Sequence, residues 1–115
     1  MIKIKRIYDE PDKDDGLRVL VERLWPRGIS KEKGHIDLWI KDAAPSTELR
    51  KWFNHEDDKW EEFVEKYWIE LNEDGQIKQV KELAEKNSPI TFIYSAKNTE
   101  HNSAVALKNI IMNIK

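Results

Sequence analysis

The sequence predicts an α/β fold: a mainly parallel sheet of about four strands, flanked by helices in three layers. Strand-like runs alternate with amphipathic segments along the 115 residues, which is the order typical of repeated βα units. The runs at 17–25 and 89–95 are apolar on both alternating faces, as expected of strands that are covered on both sides. The length suits one domain, which we expect to span 1–115.

Four strands are expected. The first, Ile2–Tyr8, alternates isoleucine with basic residues, and the second, Leu17–Trp25, ends at Pro26, which lacks the N–H that a neighbouring strand needs. A short apolar run, Ile36–Lys41, gives the third, and the β-branched and aromatic run Pro89–Ser95 gives the fourth. About eight residues join the first two strands, which is short for a parallel crossover, so an antiparallel pairing of these two is an open alternative.

Four helices are expected between and after these strands. Ser46 is a good N-cap for the segment TELRKWF. A second helix carries an apolar stripe within residues 55–74, a third covers about 74–86, and the last packs on the sheet from Ala104 to Ile114. The segment SKEKGH at 30–35 is predicted to be a charged loop. The stripe of the second helix is expected to be core and consists of Trp60, Phe63, Val64, Tyr67, Trp68 and Leu71.

Charge and composition exclude several classes of protein. Residues 1–34, 35–74 and 75–115 carry net charges of +2, −7 and +3, so the chain is not a globally basic nucleic-acid binder. The acidic residues of the middle segment are read as the solvated face of its helix, the alternative being a site for a cation or a basic partner. No cysteine is present, which excludes disulfides, Cys-ligated zinc and a thiol nucleophile.

Other sequence features indicate a cytoplasmic protein without a cofactor. The N-terminal segment MIKIKRIYDE lacks the apolar centre of a signal peptide, and no apolar run is long enough to span a membrane. The three histidines are far apart, and none forms a metal-ligand pair on one helix face. We therefore expect no metal, no cofactor and no membrane partner.

Two arginines follow the second strand and suggest an anion site. Arg23 and Arg27 flank a stiff Trp-Pro corner, and ligands of an open parallel sheet bind beyond the carboxyl ends of its strands. A guanidinium forks onto carboxylate or phosphate oxygens, so the pair could clamp an anion. The alternative is that these arginines pair with nearby acids such as Glu22 or Asp42.

A second polar segment follows the fourth strand and leads into the last helix. Tyr94, Ser95, Lys97, Asn98 and Asn102 gather there, where unpaired N–H groups at a helix start also favour anions. Ordinary helix capping is the competing explanation: Asn98 or Thr99 would be the N-cap, and Ser95 and Lys97 would be solvated. The glycines of a phosphate loop are missing, and a Ser95–Lys97 nucleophile–base pair is the less favoured chemistry.

Three motifs in this order resemble one known family. Arg23-x-Trp-Pro-Arg-Gly, the segment 44–50 (APSTELR) and the segment 94–98 (YSAKN) look like the short, YeaO-like branch of the family called domain of unknown function 488. The likeness covers nearly the whole chain, and the family name brings no activity with it. The resemblance implies a compact α/β domain with signature polar residues at strand ends: Arg23, Arg27, Ser46, Arg50, Tyr94, Ser95, Lys97, Asn98 and Asn102.

This chain departs from its relatives in two ways. Ser103 stands where related chains often carry histidine, so no histidine role transfers to that position. The cysteine-containing turn of longer relatives is absent here, which excludes their thiol chemistry.

Two hypotheses of function follow. The first is a site for a small anionic or phosphorylated, nucleotide-like ligand, bound by Arg23, Arg27, Ser46, Arg50, Asn98 and Asn102. Turnover is left open; an enzyme would be a hydrolase or transferase in which Arg23, Arg27 and Lys97 stabilise charge and Tyr94 or Ser95 handles a proton or acts as nucleophile. The second hypothesis is a non-catalytic module for nucleic acid or protein, with nucleic acid possible but not favoured.

Overall fold

The computed structural model, which describes residues 1–113, contains a four-stranded parallel sheet. Its strands are β1 (Ile2–Arg6), β2 (Leu17–Leu20), β3 (Leu38–Trp39) and β4 (Ile90–Tyr94), and their spatial order is β1-β4-β2-β3. All three neighbouring pairs are parallel. The fold class is therefore confirmed. The question of whether β1 pairs antiparallel with β2 is answered by topology, because β4 lies between them.

Five α-helices flank the sheet within residues 1–113. They are α1 (Lys31–Gly34), α2 (Thr47–Phe53), α3 (Trp60–Glu73), α4 (Gln76–Lys86) and α5 (Ser103–Met112). The prediction of a loop at 30–35 was wrong, because Ser30 caps the Lys33 N–H and begins the short α1. Ile114, which was predicted to belong to the last helix, lies outside the described residues. None of the helices described in 1–113 is long and apolar enough to cross a membrane.

The two faces of the sheet are covered differently. Alternate strand residues, among them Val19, Ile90 and Phe92, pack against α2, α3, α4 and α5 in the main core. Residues of opposite parity form a smaller cluster on the other face. That cluster contains Ile7, Leu20 and Ile93 and is covered by Trp25, Ile29, Ile36 and Trp39. The second covering layer is thus the segment 25–36, which contains the short α1. The four longer helices pack on the other face of the sheet.

The apolar stripe of α3 is narrower than its sequence suggests. Phe63, Tyr67 and Leu71 are buried, and Trp60 packs against the same core from a half-buried position. Trp68, however, is 43% exposed. It lies one residue, about 100°, beyond Tyr67 on the helix, and this rotation carries it off the stripe. The assignment of Trp68 to the core was therefore wrong.

A buried ion pair fixes the second face of the sheet. The Asp15 carboxylate contacts Arg18 at 2.5 Å and Lys5 at 2.9 Å. The Arg18 guanidinium also donates to the carbonyls of Gly34 and His35 at 3.0 Å each. Because these carbonyls end α1, Arg18 ties the covering layer to the sheet. Burial acts to raise the pKa of Asp15, but the hydrogen bonds to its carboxylate outweigh this and hold the pKa below 3.8.

Candidate functional site

A cleft of about 520 Å³ lies beyond the carboxyl ends of β2 and β4. Ligands of parallel sheets bind at the edge formed by the carboxyl ends of the strands, where the chain leaves the sheet in loops. The walls come from the segment after β2, the start and body of α2, and the loop that leads into α5. The lining residues are Glu22, Leu24, Pro45, Thr47, Arg50, Lys51, Phe53, Asn54, His55, Phe63, Ser95, Ala96, His101, Asn102 and Ser103.

Glu22 is fixed at the base of the cleft by the segment after the neighbouring strand. Its Oε1 accepts hydrogen bonds from the Ser95 N–H at 2.9 Å and from the Ser95 hydroxyl at 3.1 Å. Its Oε2 accepts none from residues 1–113, and no side-chain oxygen described there is both fully buried and unpartnered. The Oε2 atom is therefore accessible to the cleft.

The environment of Glu22 combines burial with nearby positive charge. Burial raises the pKa of its carboxyl above 4.5, while the two hydrogen bonds from Ser95 and the charges of Arg50 and His55 act in the opposite direction. The cleft thus contains a partly desolvated acid beside cationic groups. The site therefore contains a hydrogen-bond acceptor, the Glu22 carboxylate, and positive charge that would attract an anion.

Two basic residues of α2 face the cleft. Leu49 and Phe53 bury the inner side of this helix, which leaves Arg50 and Lys51 on its outer side, both exposed. Neither side chain takes part in an ion pair or a side-chain hydrogen bond within the described part of the chain. Their positive charges are available to a ligand.

The start of α2 is held firmly in place. Ser46 caps the helix by accepting from the Leu49 N–H, and its own N–H and hydroxyl donate to the carboxylate of Glu70 on α3. All of its polar atoms are used in this way. Ser46, predicted to bind a ligand, therefore supports the cleft from outside and does not line it.

Aromatic rings form one wall of the cleft. Phe53 and Phe63 lie 4.4 Å apart between ring centroids, and His101 stacks on Trp60 at 4.6 Å. The Nδ1 of His101 lies 2.7 Å from Asp57, which fixes the ring orientation. Phe53 and Phe63 are buried in the core and contribute only their edges to the cleft, so the His101 ring is the partly exposed member of this wall.

The amides near the start of α5 hydrogen-bond to the backbone. Asn102 is the N-cap: it accepts from the Val105 N–H and donates to the Asn98 carbonyl. The expectation that Asn98 or Thr99 would cap this helix was wrong, because Asn98 accepts from the N–H groups of Glu100 and His101 in the turn before the helix. Asn102 lines the cleft and Asn98 does not.

The structure brings together only part of the predicted site. Arg50, Ser95 and Asn102 line the cleft. Arg27 and Lys97 are exposed outside it, and Tyr94 is buried in the main core, where burial and the charge of Asp9 raise the pKa of its hydroxyl. For these residues a role in ligand binding or catalysis stays a prediction.

Arg23 contacts main-chain carbonyls and no acid. Its Nε donates to Pro45 at 3.2 Å and its Nη2 to Ala44 at 3.1 Å. The expected pairing with Glu22 or Asp42 is absent from the ion pairs of residues 1–113. Arg23 thereby fixes the segment that leads into α2, which carries Arg50.

Sequence reasoning missed Glu22 as a cleft residue, along with Lys51, His55 and His101. Glu22 stands two residues after the end of β2, so the strand-end rule that selected Ser95 also applied to it. Within residues 1–113, no three His, Asp or Glu side chains are grouped so that they could hold a metal ion.

Comparisons with known proteins agree with the predicted resemblance. A family model described as "Inactive DUF488-N3 subclade" matches residues 1–114. The uncharacterised protein YeaO of Escherichia coli strain K12 is 47% identical over 108 residues, which cover 92% of each chain. An uncharacterised protein of Mycobacterium tuberculosis strain H37Rv is 34% identical over 110 residues, 96% of this chain and 92% of that protein. No solved structure matches the chain significantly.

Proposed function

Because the chain belongs to the DUF488 family and matches its subclade described as inactive, we propose that it is a non-catalytic protein that binds a small anionic, nucleotide-like ligand. The observation that carries this proposal is that two cations without an ion-pair partner in residues 1–113, Arg50 and Lys51, line one cleft together with the His101 ring. An anionic group would bind to the cations, and a planar group would pack against the His101 ring.

A binding role is favoured over a hydrolase or transferase by the surroundings of Ser95. A serine nucleophile needs an adjacent base such as histidine or lysine. Lys97, the predicted base, does not line the cleft, and the Glu22 oxygen that accepts from the Ser95 hydroxyl also accepts from the Ser95 N–H. We therefore favour binding over catalysis at this cleft.

The test is a thermal-shift and calorimetric screen of nucleoside monophosphates and sugar phosphates. Wild type is expected to be stabilised by at least one of them, since a ligand that binds only the folded state raises its stability. Arg50→Ala should weaken that binding by roughly one to two decades, the worth of a charged hydrogen bond. Lys78→Ala removes an equal charge from exposed surface of α4 and should leave binding unchanged.

Two results would contradict the proposal. One is the absence of stabilisation by any of these anions at millimolar concentration. The other is equal loss of affinity in the Arg50 and Lys78 variants, which would indicate a nonspecific effect of charge. Oligonucleotide binding that weakens steeply with added salt would instead favour the alternative nucleic-acid module.

A further inference from the structure

We propose that Glu22 makes the cleft selective for phosphorylated ligands that also carry hydroxyl donors, so that a ribonucleotide binds and bare phosphate is disfavoured. This inference rests on the proposed function, and it concerns which anions the cleft accepts. It is carried by the geometry of one carboxylate and by its place in the same cleft as Arg50 and Lys51, two cations without an ion-pair partner in residues 1–113.

The two carboxylate oxygens of Glu22 have different hydrogen-bonding environments. Oε1 is held by the N–H and the hydroxyl of Ser95, so the carboxylate cannot rotate away without losing both hydrogen bonds. Oε2 is left accessible to the cleft. The hydrogen bonds from Ser95 therefore orient an acceptor toward the position of a ligand.

An ionised carboxylate can only accept hydrogen bonds. Its complement on a ligand is a hydroxyl or amine group, while a phosphate oxygen brought to the same place would be repelled. A ligand that covers an accessible carboxylate oxygen without supplying a hydrogen-bond donor removes its hydration and loses affinity. Glu22 thus favours a ligand with a hydroxyl or amine group at this position and disfavours one with a phosphate oxygen there.

The neighbouring cations determine where the anionic group binds. Arg50 lines the cleft and is close enough to influence the titration of Glu22, yet the two side chains do not form an ion pair. The guanidinium is thus free to bind phosphate while Glu22 accepts from a second part of the same molecule. A ribonucleotide has both groups, with vicinal hydroxyls on the sugar that carries the phosphate.

The experiment compares ligands that differ only in these hydroxyls. Calorimetry at pH 7.5 would use adenosine and uridine 5′-monophosphates, their 2′,3′-dideoxy analogues, and inorganic phosphate. Wild type is expected to bind at least one ribonucleotide about tenfold or more tightly than its dideoxy analogue, as the loss of a hydrogen bond to a charged group implies.

Glu22→Gln supplies the second arm of the test. It keeps an oxygen for Ser95 but removes the charge, so it should abolish most of the preference for ribose and bind inorganic phosphate at least as tightly as wild type does. Glu82→Gln, an equal change of charge on the exposed side of α4, should behave as wild type.

The outcomes separate this inference from the proposed function. Equal affinity of wild type for a ribonucleotide and its dideoxy analogue would overturn the role of Glu22 and leave the anion cleft standing. Failure of all five probes to bind would overturn both. If Glu22→Gln does not fold, the comparison on wild type alone still decides the question.

Discussion

Replacing Arg23 with alanine should destabilise the fold, whereas Arg27→Ala should leave its stability unchanged. These two arginines occupy one short turn and were expected to act together on a ligand. In the structure, the Arg23 guanidinium donates to the carbonyls of Ala44 and Pro45. The Arg27 side chain is exposed and donates to no residue within 1–113. The comparison therefore holds residue type and chain position nearly constant and varies only the contacts.

The size of the effect follows from these contacts. A hydrogen bond to a charged group contributes about 1.5–3 kcal/mol, and the carbonyls lost to Arg23→Ala belong to the buried residues Ala44 and Pro45. The two bonds are 3.1 and 3.2 Å long and partly exposed, so we expect about 2–3 kcal/mol in total for their loss. For a domain of this size that corresponds to a fall in Tm of roughly 8–12 °C. Arg27→Ala should change stability by less than about 0.5 kcal/mol.

Urea denaturation monitored by tryptophan fluorescence would measure both variants. An unchanged m value would show that the comparison reports stability and not a change in the denatured state. Arg23→Lys should fall between wild type and Arg23→Ala, since an ammonium group cannot reproduce the fork of a guanidinium. Equal midpoints for Arg23→Ala and Arg27→Ala would refute the reasoning.

Three further predictions use paired changes. Tyr67→Phe should lower the free energy of unfolding by about 1–3 kcal/mol, because the buried Tyr67 hydroxyl donates to a main-chain carbonyl. Tyr8 is 45% exposed, so Tyr8→Phe should lower it by less than about 0.5 kcal/mol in the same urea assay. Similar losses in the two variants would contradict the argument from burial. Phe63 is 3% exposed, so Phe63→Ala should lower the free energy of unfolding by about 3–5 kcal/mol, and Trp68→Ala should lower it by only about 1–2 kcal/mol. A lower urea midpoint for Trp68→Ala than for Phe63→Ala would disprove this order. The folded-state pKa of Asp15 lies below its unfolded value of 3.8, so the Asp15 carboxylate stabilises the fold above pH 3.8 and loses this effect as the pH falls through the folded-state pKa. Urea midpoints measured from pH 6 to pH 2 should therefore show the Asp15→Asn variant approaching wild type at the acid end. A difference that stays constant with pH would refute this prediction.

Local patterns predicted where the strands and the long helices lie but not all of their ends, since the second strand ends at Leu20 and the prediction that it reaches Trp25 was wrong. The apolar run at 90–94 is buried throughout, as both of its faces suggested, and Ser46 caps α2 as its residue type predicted. The order of the strands could not be obtained in this way. The pattern of apolar residues in a strand indicates how much of that strand is buried. The choice of its neighbours in the sheet depends on tertiary packing.

The site was predictable only in part for a related reason. The rule that ligands bind at strand ends selected Ser95 correctly as a lining residue, but it gave no partner for Glu22. That partnership exists because β2 and β4 are neighbours in register, with Leu20 opposite Ile93. A residue such as Trp68 illustrates the same limit on α3, where one step of rotation separates the core from the surface.

The position of β4 has a consequence for how the protein is made. Among the strands of residues 1–113, β4 alone is bonded to both β1 and β2, and it follows the other three in the sequence. A nascent chain that ends before residue 90 can pair β2 with β3, but it lacks the strand that joins β1 to them. The sheet therefore forms after most of the chain has been synthesised, through contacts between distant parts of the sequence. Until then, the apolar strands near the N-terminus are exposed to chaperones and to other nascent chains.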